Sequence, residues 1–104
     1  MDRLNVVFRK ERSGEVLAVF PSIPADYTGS MLCYAHVGQH GACSDGYYCR
    51  DTKPATPEEY APLLAELRSI YEVGEDPVRL IPHKKRTMND FQTFWAESRR
   101  LANA

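Results

Sequence analysis

Val16-Leu17-Ala18-Val19-Phe20 is an unbroken apolar run behind a Ser13-Gly14 turn signal, and it restricts the fold more than any other stretch. A β-strand sends alternate side chains to opposite faces, so a strand apolar at every position needs cover above and below. The partner strand precedes it. Asn5 to Arg12 puts Val6, Phe8 and Lys10 on one face and Val7, Arg9 and Glu11 on the other. Together the two segments predict a β-hairpin closed by a two-residue turn at Ser13-Gly14. A central hairpin with two faces to fill calls for a layered domain in which the rest of the chain supplies both covers.

The remaining elements follow in order. Pro21 to Ser30 reads as a loop, and Met31 to Val37 as a third strand continuing an antiparallel meander. Gly38 to Gly46 reads as irregular, after which Ser44 or Asp45 caps a short helical turn through Tyr47, Tyr48 and Cys49. Lys53 to Thr56 is a connector. Thr56, Pro57 and Glu59 make a capping box with proline at the first helical position. Tyr60, Leu63, Leu64, Leu67, Ile70 and Tyr71 then recur at helical spacing. Pro62 interrupts that pattern, so the helix either kinks there or restarts with Pro62 in its opening turn, and we favour the restart. Val73-Gly74 ends it. Val78 to Ile81, bounded by Pro77 and Pro82, is an edge strand. Thr87, with Asp90 three residues on, caps a last helix whose stripe is Met88, Phe91, Phe94, Trp95, Ser98 and Leu101.

The expected fold is therefore a small α+β domain: an antiparallel three-stranded meander plus one short strand, a main helix on one face and a C-terminal aromatic helix, in the order βββαβα. Residues 1–81 form the core domain, and residues 82–104 a basic linker with the C-terminal amphipathic helix. The chain's 104 residues suit one modest core. No apolar run approaches the roughly 20 residues that span a bilayer, so no membrane association is expected. The amino-terminal MDRLNVVFRK lacks the apolar stretch of a secretory signal, and a cytoplasmic location is expected. Three cysteines cannot all pair within one chain, which fits reduced thiols in that compartment.

The separated blocks GEVLAVFP, CYAHVGQH with GACS, and TKPATPEEYAPLLAELRSIY occur here in order. In them the chain resembles a group of small uncharacterised proteins of bacteriophages and integrated mobile elements, over about Val6 to Ile81. The resemblance implies a bacterial or phage origin and a cytoplasmic setting. It carries no activity or site residue, and it implies an accessory protein that binds a host or viral macromolecule.

Four kinds of site are legible. His36, His40, Cys43 and Cys49 are metal-ligand types in irregular backbone and could hold zinc, although no cofactor is expected. Cys33 and His36 cannot both join such a site unless the strand ends between them, because residues three apart on a strand face opposite ways. Cys43, near His40 and Asp45, is a candidate nucleophile without a family signature around it. Lys84, Lys85, Arg86, Arg99 and Arg100 form a basic C-terminal segment suited to phosphate contact, within a net charge of −1. Phe91, Phe94 and Trp95 are a candidate protein-binding cluster, aromatic residues being common interface anchors. Alternatively, the same cluster covers the second face of the Val16 to Phe20 strand. The expected function is that of a non-enzymatic protein that binds a macromolecular partner, such as a host-defence or regulatory protein. The alternative is a small metal-binding or nucleic-acid-binding domain. Trp95 is expected to be largely buried, and a homodimer is favoured over a monomer.

Overall fold

The computed structural model describes residues 2–26, 29–35 and 40–103. The elements are β1 (Asp2–Glu11), β2 (Val16–Pro24), β3 (Met31–Tyr34), β4 (His40–Cys43), α1 (Asp45–Asp51), β5 (Thr52–Pro54), α2 (Pro57–Tyr71), β6 (Val78–His83) and α3 (Met88–Ala102). The class is α+β. The order contains two strands that the sequence reading takes as irregular or connecting, β4 and β5.

The hairpin forms as expected, with Val7 opposite Val19 and Lys10 opposite Val16. Its loop is one residue longer than expected. The Glu11 N–H donates to the Glu15 carbonyl at 2.8 Å and the Gly14 N–H to the Glu11 carbonyl at 2.9 Å. Gly14 has φ +94°, the left-handed conformation that closes a three-residue loop. β3 and β4 extend the meander, giving the order β4-β3-β2-β1-β5. Between Phe20 and Pro24 the register of β2 against β3 shifts, a bulge at a proline-bearing strand end.

The outer edge of β1 is shared by two strands. Residues Asp2 to Val7 pair in parallel with Val78 to His83 of β6. Arg9 to Glu11 pair antiparallel with Pro54 to Thr52 of β5. β6 is thus the short fourth strand expected from sequence, but its parallel pairing was not.

Alternation sorts the core into two layers. Val6, Phe8, Ala18, Phe20 and Tyr34 face α2 and pack with its Leu63 and Leu67 and with Leu80 of β6. Val7, Val19, Met31 and Cys43 face the other way and pack with Tyr48 of α1 and Phe94 of α3. Both faces of Val16 to Phe20 are covered, as its composition requires.

The helices begin where their caps place them. Ser44 accepts the Tyr47 N–H at 3.1 Å, and full capping boxes form at Thr56/Glu59 and Thr87/Asp90. α2 runs unbroken through Pro62, so the restart expected there does not occur. Pro62 and Glu58 both lie on the solvent side, where water can take the carbonyl that proline leaves without a donor. Asp90, only 1% exposed, accepts from the Thr87 N–H and from the Asn5 side-chain amide, both at 2.8 Å. This locks the start of α3 onto β1. No described helix is long and apolar enough to cross a membrane.

Candidate partner-binding site

Arg9 starts the site from the sheet. Position nine puts its side chain on the α1/α3 face, where it is buried. Its Nε donates to Thr52 Oγ1 at 2.9 Å, and the same guanidinium donates to the backbone carbonyls of Tyr48 (3.1 Å) and Thr52 (2.9 Å). The guanidinium carbon stands 4.2 Å from the centre of the Tyr48 ring. These contacts fix α1, a helix of only seven residues, against the sheet.

Arg86, at the turn into α3, also stands 4.2 Å from the Tyr48 ring centre and 4.9 Å from that of Phe91. It donates to the Asp45 carboxylate and reaches Cys49 Sγ at 3.4 Å and Met31 Sδ at 3.8 Å. Cation–π contact and an ion pair hold this guanidinium in one place, with the side chain only 13% exposed. Beside it, Pro21, Met31, Asp45, Phe91 and Trp95 help to wall a cavity of about 290 Å³.

α3 divides the expected aromatic cluster. Phe94 points into the sheet and is 5% exposed. Trp95 is 55% exposed, Phe91 39% and Met88 72%, so the expected burial of Trp95 is incorrect. Adjacent helical residues lie about 100° apart around the axis, and only one of the two aromatic neighbours can face the core. Asp90 decides which one. Its bond to Asn5 turns positions 90, 94 and 101 inward, leaving 88, 91 and 95 along an outer edge.

The described metal-ligand candidates, His40, Cys43 and Cys49, do not converge. His40 pairs with Tyr34 and Cys43 with Met31, residues whose side chains lie on opposite faces of the sheet. Strand parity separates His40 from Cys43, because β4 is a strand rather than irregular backbone. His40 Nε2 lies 2.9 Å from the Tyr71 hydroxyl. Cys49 is exposed beside Arg86, and His36 lies outside the described residues. Among the described residues, no group of three potential ligands is placed to hold a metal ion. Burial first, and then Cys33 nearby, pushes the Cys43 thiol up to about 11. A protonated, covered thiol with His40 on the far face is poorly placed to act as a nucleophile.

The basic candidates are also dispersed. Arg86 is committed to the cavity and Arg100 to Glu97. Lys84 and Lys85 are exposed at the β6–α3 turn, whereas Arg99 lies roughly 20 Å along the helix from Arg86. They form no single phosphate-tracking row.

Pro21, Met31, Asp45 and Tyr48 complete the site and were not singled out for it from sequence. They reach Arg86 only through the tertiary fold. The one local hint is Arg86 lying immediately before a cap and five residues before Phe91. Comparison with protein-family models, curated proteins and solved structures finds no match.

Proposed function

We propose that the chain is a non-enzymatic accessory protein of a bacteriophage or integrated mobile element, acting in the cytoplasm by binding a protein partner through the outer edge of α3. The supporting observation is the exposure of Met88, Phe91 and Trp95 beside a cavity whose guanidinium is held in place. The helix already docks through Asp90 and Phe94, so the outer aromatic residues are not needed for that purpose. The cavity matches one large apolar side chain, and an interface built on a buried anchor beside Trp and Arg follows the usual distribution of binding energy. A host-defence or regulatory protein is the partner class that the sequence resemblance favours.

The test compares wild type with Trp95→Ala and Phe91→Ser as affinity baits in a bacterial lysate, followed by reconstitution with each captured protein after purification. A partner retained only by wild type should shift Trp95 emission to the blue on binding. Sedimentation of the protein alone identifies a second copy as the occupant if the wild type dimerises and the variants do not. A folded wild type that stays monomeric, with every captured protein binding the variants equally well, would remove this assignment.

A further inference from the structure

The shared edge of β1 creates a second site, independent of α3's outer face. β6 stops at His83, opposite Val7, and β5 stops at Pro54, opposite Arg9. The two strands run toward each other along the same edge and meet carboxyl end to carboxyl end, with Phe8 between them. The Ala55 N–H donates to the Phe8 carbonyl at 3.1 Å across this gap. The break leaves a crevice at the carboxyl ends of two strands.

Here the crevice opens into a cavity of about 480 Å³. That lies within the roughly 300–1,000 Å³ of small-molecule sites. Phe8 and Tyr60 are stacked with ring centres 4.2 Å apart and planes within 13°. With Pro54, Pro57 and Pro82 they make an apolar, flat-sided enclosure. Three of these walls are prolines, which lose little conformational freedom when a ligand is bound.

The polar side of the cavity carries one cation, Lys84. His83 lines it as well. The His83 imidazole is held at 2.9 Å by the Asn5 side-chain oxygen, and Asn5 is in turn oriented by Asp90. Lys84 is exposed and makes no ion pair or hydrogen bond among the described residues. Of the two acids in α2's first turn, Glu59 is occupied by Lys10 and by the Thr56 N–H. An apolar slot with one uncommitted ammonium at its mouth complements a flat ring that carries a negative charge.

We propose that this cavity binds a small organic anion with a planar aromatic body, the ring lying among Tyr60 and the prolines and the anionic group meeting Lys84. An aromatic carboxylate and a nucleoside monophosphate share that chemistry.

The test titrates the whole protein, by ligand-observed NMR and calorimetry, with 2-naphthoate and adenosine monophosphate, each against its uncharged counterpart, 2-naphthamide and adenosine. We expect at least one anion to bind with Kd below about 1 mM and its neutral counterpart to bind more weakly. Binding by naphthoate alone assigns a carboxylate ligand, and binding by the nucleotide alone assigns a phosphate ligand. Lys84→Ala should weaken binding about fivefold or more, and Lys84→Arg should restore most of it. Arg79→Ala, an exposed cation on β6 outside the cavity, should leave it unchanged. Lys84 is on the surface, so its variants retain the fold, and a urea midpoint equal to wild type verifies that. No binding by either anion, equal binding of anion and neutral counterpart, or indifference to Lys84→Ala would overturn the proposal.

Discussion

Phe94 and Trp95 are neighbours on one helix and meet edge to face with ring centres 5.3 Å apart, yet one is a core residue and the other faces solvent. The contact braces the exposed indole against a fixed ring, so Trp95 is presented in a defined position rather than left to wander.

That division makes the two residues separable by mutation. Phe94→Ala should destabilise the fold by about 3–5 kcal/mol, the usual range for emptying an aromatic core site. Trp95→Ala should cost under about 1 kcal/mol. Urea denaturation of both variants checks the pair. The wild-type emission should be red-shifted and readily quenched by acrylamide, in keeping with a half-exposed indole.

Arg9 should be among the residues least tolerant of change. Arg9→Ala takes the donor from the buried Thr52 carbonyl, at about 1–3 kcal/mol, while the Tyr48 carbonyl still accepts from the Thr52 hydroxyl at 2.6 Å. Arg9→Lys should recover less than half of the loss, since an ammonium cannot reproduce the fork that reaches all three acceptors. Denaturation midpoints of the two variants test this. Equal stability of Arg9→Lys and wild type would contradict the role given to the guanidinium.

Acid sensitivity should be partly traceable to Glu59. The hydrogen bond from Lys10, followed by the one from the Thr56 N–H, lowers its carboxyl from 4.5 to about 2. A carboxyl depressed by folding contributes stability fully above its unfolded value and loses it as pH falls toward the folded one. The stability gap between wild type and Glu59→Gln should therefore be constant above about pH 5.5 and close between about pH 4.5 and pH 2. Urea midpoints measured across that range show whether it does.

The three thiols should react in order of access. Cys49 is exposed, Cys33 is half-buried with its thiol raised by burial foremost, and Cys43 is buried with its thiol at about 11. At pH 7.5 a disulfide reagent should modify one thiol per chain quickly and the other two at least about tenfold more slowly. Cys49→Ser should abolish the fast phase alone.

Signals carried by neighbouring residues were legible in the sequence. Thr56 with Pro57 and Glu59, Thr87 with Asp90, and Ser44 before Tyr47 all start helices, because a cap is a local hydrogen-bonding arrangement. The demand of Val16 to Phe20 for two covers was also legible, since it depends only on strand parity. β4 and β5 were not. HGAC and TKP have little strand preference, and they are strands because β3 and β1 offer them unpaired backbone groups. The role of Arg86 was hidden for a similar reason: Asp45, Tyr48 and Met31 approach it from across the fold, and among Lys84 and Lys85 it reads only as a third surface cation. The Phe8 crevice leaves no trace in composition, because it arises from where two strands stop.

The parallel pairing of β1 with β6 also has a kinetic consequence. Asp2 and Val78 are partners across most of the chain, so this ladder closes a very long loop and contributes to a high contact order. Until it closes, one side of β1 is an open row of backbone donors and acceptors that another copy's strand could occupy. A chain shortened to end before Val78 should therefore associate with itself through that edge, and the intact chain should be most prone to aggregation early in refolding, before the last strand has reached its place.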